Sequence, residues 1–294
     1  MGAVHIVNVV HTEPDWWDGG LAGIDVGLPA LLERFGDIEQ KAGARIPVTW
    51  CLFFNNDYRS PEAGRRFSDV VSVRADFFHS RLELDDEVGI HTHALDPRRQ
   101  HLYFQDNAQR LAEAGFPYPR THAPGWFYLD GNVFRALERA GIETDAGLLV
   151  GAGRVVGRQP LVKGILLQDA TGRERSDPSA FRPYHPAPDC ISRPGSSAVV
   201  EVPVFLSSSG VAEDPEGHVG AIRNQWLHRD EVEVEVVQLF WHPWELVEQG
   251  PGGGVNRAVV DGLAEVMSAV VGWDDVVFST VHDAVTRWGA AVTR

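Results

Sequence analysis

The sequence predicts one α/β domain folded as a distorted (β/α) barrel of seven or eight strands. Short β-branched runs alternate with longer stretches of helical period, the pattern of parallel βα units. The 294 residues are 44% hydrophobic and 23% charged, enough for one large core. Four histidines fall at the ends of candidate strands, the level at which barrel strands gather their polar groups.

In chain order, the β-branched and apolar runs place strands at 4–10, 47–53 and 88–91, a short strand ending near His122, then strands at 142–145, 199–205, 236–241 and 276–280. Stretches of helical period fall between them, at 29–42, 61–81, 106–114, 132–140, 255–271 and 281–288. One segment breaks the rhythm. Residues 169–198 are rich in Pro, Gly, Ser and Arg with no apolar period, so they form a long loop expected to lie as a lid over the barrel mouth. Strand-like sequence resumes at Val199, so 1–294 is read as one domain with an inserted loop. Glu231, Glu233 and Glu235 alternate with valines, which predicts a solvated strand face; a row of cation-binding carboxylates is the alternative.

The formal net charge is -15, with Lys41 and Lys163 as the two lysines. That balance argues against a surface that tracks nucleic-acid phosphates, and neutral or cationic substrates suit it better than polyanions. Cys51 lies in an apolar run far from Cys190, so a buried free thiol is expected. The start, Met1-Gly2-Ala3-Val4-His5, has neither a basic stretch nor a leader-length apolar run, and no apolar segment reaches membrane-spanning length. A cytoplasmic protein without membrane attachment is the expectation.

The chemistry gathers at His11, His91, His122 and His242, with His93 two residues beyond a strand end. In Val9-Val10-His11-Thr12-Glu13-Pro14-Asp15, period two sends His11, Glu13 and Asp15 to one side, although Pro14 weakens the case for Asp15. His91 and His93 share a face at a spacing that lets both reach one ion. Two imidazoles and one carboxylate leave open coordination positions, as in hydrolytic zinc sites or non-haem iron sites. A third cluster, Tyr118-Pro119-Arg120-Thr121-His122-Ala123-Pro124-Gly125-Trp126, ends a strand in a turn. His242 leaves an apolar strand between Trp241 and Trp244, which should keep its pKa near neutral and suit it to proton transfer. Trp16, Trp17, Trp126, Trp241 and Trp244 flank these motifs, and indole faces stack readily on sugars.

In this order the motifs resemble those of the polysaccharide deacetylases, the NodB-like carbohydrate esterases, over most of the chain. His11-Thr12-Glu13 stands where that family has Asp-x-Asp or Asp-x-Glu, and Glu87-Val88-Gly89-Ile90-His91 resembles its Glu-Ile-Gly-x-His. His122-Ala123-Pro124-Gly125-Trp126 is similar to its Arg-x-Pro-Gly-Trp turn, and Gly141 to Asp145 to the Gly-x-x-x-Asp that follows. His242-Pro243-Trp244-Glu245 is similar to the His-Pro-Trp-Glu of one branch. The resemblance implies a distorted barrel holding a divalent ion, zinc above all, that activates water against an N-acetyl or O-acetyl carbonyl. It implies Glu13 as metal carboxylate, His91 as first metal histidine and His242 as general acid.

Three departures accompany it. His11 replaces the base aspartate and His122 its partner arginine, so an ion pair becomes a His–His contact; either His11 is the base or the chemistry has changed. The second metal histidine, usually four residues after the first, is Leu95 here. His93 or Asp96 must substitute, and His93 keeps the ligand type; Asp15 is a further alternative. The site expected is therefore Glu13, His91 and His93 for metal, with His11, His242, His122 and Asp145 catalytic. The five tryptophans and Arg120 are expected on substrate. The function expected is deacylation of a small sugar-containing substrate. A carbohydrate-binding protein with a decayed site, and a metal amidohydrolase of altered chemistry on a non-sugar substrate, are the competing readings.

Overall fold

The structure is a computed structural model that describes residues 2–57, 67–150, 178–208, 210–229, 234–250 and 253–292. Its strands are β1 (Val4–Thr12), β2 (Val48–Asn55), β3 (Glu87–His93), β4 (Thr121–Pro124), β5 (Thr144–Asp145), β6 (Pro186–Ala187), β7 (Cys190–Pro194), β8 (Val200–Glu201), β9 (Val204–Ser207), β10 (Glu235–Trp241) and β11 (Val276–Ser279). The helices are α1 (Leu28–Ala42), α2 (Val70–Leu82), α3 (Phe104–Glu113), α4 (Gly131–Arg139), α5 (Pro215–Leu227), α6 (Arg257–Val270) and α7 (Val281–Val292).

Nine strands make one parallel sheet in the order β8-β5-β4-β3-β2-β1-β10-β9, with β11 also on β1. The sheet curls until its two edges are the consecutive strands β8 and β9. Val204 N donates to Leu148 O across the seam. This is the (β/α)-barrel class the sequence predicts.

Both faces of the sheet are buried, as parallel sheets require. Ile6, Val10, Trp50, Leu52, Phe54 and Ile90 pack outward against Leu31, Phe35, Phe78 and Phe104 of the helices. Val7, Val9, Cys51, Ala123, Ala146 and Val200 fill the interior. Gly89 is required there: a Cβ would stand 2.5 Å from Thr121 O and 3.3 Å from Cys51 Sγ. Cys51 is a fully buried free thiol, as expected.

The start of α7 covers the N-terminal end of the barrel, where Val281 N donates to Thr49 Oγ1 and His282 N to Glu87 Oε2. The described part of the predicted lid packs at that same end and along the outside of α4, where Pro188 lies against Gly131 and Ser197 donates to Glu138. Arg182 pairs with Glu235 at the start of β10, His185 lies 5.8 Å from the Trp288 ring, and 186–194 forms the antiparallel β6–β7 pair. Its apolar Phe181 and Tyr184 are buried, which a composition-based reading as loop undervalued; 169–177 lie outside the described residues. Glu235 is likewise fully buried, not solvated, because Arg182 and Gln225 satisfy its carboxylate; Glu231 and Glu233 lie outside the described residues. Helix α2 begins at Val70 within the predicted 61–81, of which 61–66 are not described, and β5 is shorter than predicted. Helix α5 was not anticipated; Asp214 caps it and Pro215 opens it. Among the described residues no helix is long and apolar enough to cross a membrane.

Candidate metal centre

Residues in register on neighbouring parallel strands face the same side of the sheet. Phe53, His91 and Ala123 are in register, and Ala123 lies in the interior cluster, so β3 sends His91 and then His93 into the barrel mouth. At the end of β1 the chain turns sharply, with Glu13 N donating to His11 O at 2.8 Å, and this brings the Glu13 carboxylate over β3. Glu13 Oε1 lies 2.7 Å from His91 Nε2 and 2.8 Å from His93 Nε2, and the two Nε2 atoms are 2.9 Å apart. The three residues predicted to hold an ion are thus brought together, all buried.

The donor chemistry of this triangle fits a cation. His91 Nδ1 is 2.9 Å from Ala123 O, which can only accept, so Nδ1 carries the proton and donates it. Burial, outweighing Glu13, pushes the His91 pKa down to about 4, so at neutral pH its Nε2 is a bare lone pair. Burial would raise the Glu13 pKa, but the nearby imidazoles of His93 and His91 hold it well below the usual range, so it is ionised. A lone pair therefore meets a carboxylate oxygen at 2.7 Å, an arrangement a metal ion resolves. Ideal zinc bonds of about 2.0–2.2 Å would open the triangle by roughly half an ångström or a little more.

His11 and His242 adjoin it. The His11 ring is 4.3 Å from that of His91 and 5.4 Å from that of His242, and its fully buried Nε2 has no hydrogen-bond partner. Burial, then the neighbouring imidazoles, drives its pKa well below normal, so it is neutral. His242 Nε2 is 4.0 Å from Glu13 Oε1. The other side of His242 is held by Glu245, whose Oε2 accepts from His242 N at 2.7 Å, Ser208 Oγ at 2.6 Å and His242 Nδ1 at 3.3 Å. Burial opposes protonation of His242, but Glu245 and Glu13 together outweigh it and raise its pKa above the ordinary value. The apolar surround expected to keep it near neutral is thus overridden by carboxylates. Glu245 was not assigned a role from the sequence, although its spacing of three residues from His242 is that of a capping box, which the structure forms.

Aromatic rings wall the mouth. Trp126 lies 5.2 Å from His93 and 5.5 Å from Trp16, Trp244 stacks on His242 at 4.8 Å, and Trp17 is half-buried in the turn beside Trp16. Two further rings that sequence reasoning missed, Phe127 and Phe240, stand 5.4 and 4.3 Å from His11. Trp126 and Phe127 both have left-handed backbone, φ 57° and 52°, costing about 1–3 kcal/mol each. Buried Gln100 holds this turn, accepting from Gly125 N and donating to Gly125 O and Tyr128 O. Only glycine fits at 125, where a Cβ would meet Thr92 O at 2.4 Å and His93 Cδ2 at 2.8 Å.

Several predicted residues lie elsewhere. His122 is in register with Ile90, not His91, so it faces the helices, 4.5 Å from the Phe104 ring. Its Nδ1 is 2.5 Å from Asp145 Oδ1, and the expected His11–His122 contact is absent among the described residues. Asp145 and Glu201 are fully buried beside it; burial raises the Asp145 pKa to about 7 and lifts Glu201 well above normal. Trp241, in register with Val10, is a core residue packed on Trp50. Arg120 precedes β4 at the far end of the barrel, half-exposed near Glu143 and His282. Asp96 caps the turn at Pro97–Leu102 and is gripped by Arg98, while Asp15 accepts from Ala22 N and Gly23 N. These groups are engaged in local structure and are not placed as ligands.

Neither a sequence-family profile nor a curated protein sequence matches the chain. Solved structures share its fold. A presumptive polysaccharide deacetylase from Mycobacterium smegmatis superposes with TM-score 0.56 at 13% identity, covering 99% of this chain and 92% of that one. The 4-alpha-glucanotransferase of Thermococcus litoralis gives 0.56 at 12% identity over 98% of this chain and 41% of that one. A maltose-forming amylase of Pyrococcus sp. ST04 gives 0.53 at 10%, over 98% and 49%. This chain spans less than half the length of the latter two, and at such identities the likeness is one of fold.

Proposed function

We propose that residues 1–294 are one catalytic domain, a metal-dependent hydrolase that removes an acyl group, N-acetyl foremost, from a small sugar-containing substrate. The observation that carries this is the convergence of Glu13 Oε1 with the Nε2 atoms of His91 and His93, at 2.7 and 2.8 Å, inside an aromatic-walled mouth. A divalent ion bound by such a set, zinc by ligand type, polarises an acyl carbonyl and acidifies water enough for attack near neutral pH.

The chain's own groups supply the rest. His242, with Nδ1 on Glu245, presents Nε2 toward Glu13, and its raised pKa suits it to hand a proton to the departing nitrogen. His11, neutral and with a free buried Nε2, is the acceptor for the proton taken from water. Trp16, Trp126 and Trp244 offer indole surface to a sugar ring.

Metal analysis of purified protein, combined with acetate release from a panel of small N-acetylated sugars, tests the reading. One ion per chain and chelator-sensitive release are expected; absence of a stoichiometric ion refutes it. The depressed pKa of His11 makes it a weak base and favours, as second reading, a sugar-binding protein with a decayed site. Sugar binding that survives chelation, without acetate release, would mark that case.

A further inference from the structure

Glu13 belongs to two ligand groups. Besides the set with His91 and His93, one ring nitrogen each of His11 and His242 and a Glu13 carboxylate oxygen lie within 4.8 Å of one another. His242 Nε2 and Glu13 Oε1, 4.0 Å apart, are too far for a hydrogen bond. Two bonds of about 2.0–2.2 Å at a tetrahedral angle span roughly 3.4 Å, so a shared ion would draw this pair together by about half an ångström. His11 is 1% exposed and its Nε2 meets no donor or acceptor, a polar atom whose burial costs stability unless something binds it. The His242 ring is already turned as a ligand, with Nδ1 held 3.3 Å from Glu245 Oε2 and Nε2 facing Glu13, the outer-sphere arrangement of metal-bound histidines.

We propose that His11, Glu13 and His242 form a second, weaker divalent-cation site that shares the Glu13 carboxylate with the first and shuts the enzyme down when filled. The proposal rests on the reading of Glu13, His91 and His93 as the primary centre. Binding at the second site is weaker because the shared carboxylate already serves one cation and, among the described residues, no other carboxylate joins either group. It inhibits because it occupies the ring nitrogens of the two imidazoles that the proposed hydrolysis uses to move protons, taking the place of the proton on His242. Metal concentration thereby becomes a control on the site, activating at first and inhibiting in excess.

Equilibrium dialysis of the full chain against rising zinc, with bound metal measured directly, tests this on wild type, His11→Phe and His242→Gln. Phenylalanine at 11 keeps a ring among His91, Phe127 and Phe240, and circular dichroism verifies that both variants fold. Expected are two ions bound in sequence by wild type and one by each variant. The wild-type hydrolysis rate should peak near one equivalent and fall about a hundredfold as the second ion binds, the usual worth of acid–base catalysis. A single ion in wild type up to millimolar zinc overturns the second site and leaves the first standing. Two ions retained by both variants overturn it too, by placing the extra ion elsewhere. No ion at all overturns the primary centre along with it.

Discussion

Glu13→Gln isolates the charge at the centre of the site while keeping the shape of the side chain. In wild type, zinc at about a thousandfold above its dissociation constant should stabilise the fold by about 4 kcal/mol. With an unfolding entropy of about 2.1 cal/mol/K per residue, a chain of this length moves its Tm by roughly 6–7 °C for that gain. The variant loses one of the three protein donors and the one that is charged, so its zinc-induced shift should fall below about 2 °C. Without metal the two proteins should melt within a few degrees of each other. The substituted amide can offer its N–H to the bare Nε2 of His91, which offsets the lost contact with His93. Thermal unfolding followed by circular dichroism, with chelator and with zinc, reads both quantities. Equal zinc-induced shifts in the two proteins would show that Glu13 holds no ion.

Glu245→Gln should move the high-pH limb of the pH–rate profile to lower pH. His242 stays protonated to higher pH while Glu245 raises its pKa, and acid catalysis is lost as pH rises through that value. Gly125→Ala should weaken zinc binding about 10–100-fold in a competition titration, because the new methyl would displace the His93 ring or the Thr92 carbonyl. Glu201→Gln should stabilise the protein by roughly 1–3 kcal/mol at pH 8 and little at pH 4 in urea unfolding. The raised pKa values of Glu201 and Asp145 mean that the folded state holds protons the unfolded chain releases, so stability falls as pH climbs through the window from about 4 to 7 and beyond. Trp241→Ala should cost about 3–5 kcal/mol of stability as a core deletion, whereas Trp244→Ala should raise KM with a smaller loss of stability.

The barrel, its strands and the Glu13, His91, His93 triangle were legible in the sequence because alternation along β1 and β3 fixes which side chains share a face. What misled was parity. The sequence places His122 and Asp145 at predicted strand ends as it does His91, but β4 is registered so that Ala123, not His122, stands beside His91. A one-residue offset sends a side chain to the opposite face, and no local pattern in a four-residue strand records it. Trp241 fell to the same offset beside Val10. Asp15 and Asp96 were judged by residue type, whereas backbone N–H groups within eight residues had the stronger claim on both. Gln100 was invisible for another reason: its partners at Gly125 and Tyr128 are brought close only by the folded turn.

The seam between β8 and β9 bears on how the protein behaves in a crowded solution. Because one short stretch of chain supplies both ends of the strand order, each hydrogen-bonded to a strand of its own molecule, these two margins offer little unpaired backbone to recruit a stranger. A chain cut or loosened near Pro203 would uncover both margins at once. Self-association should therefore track damage at this point more closely than damage to the outer helices.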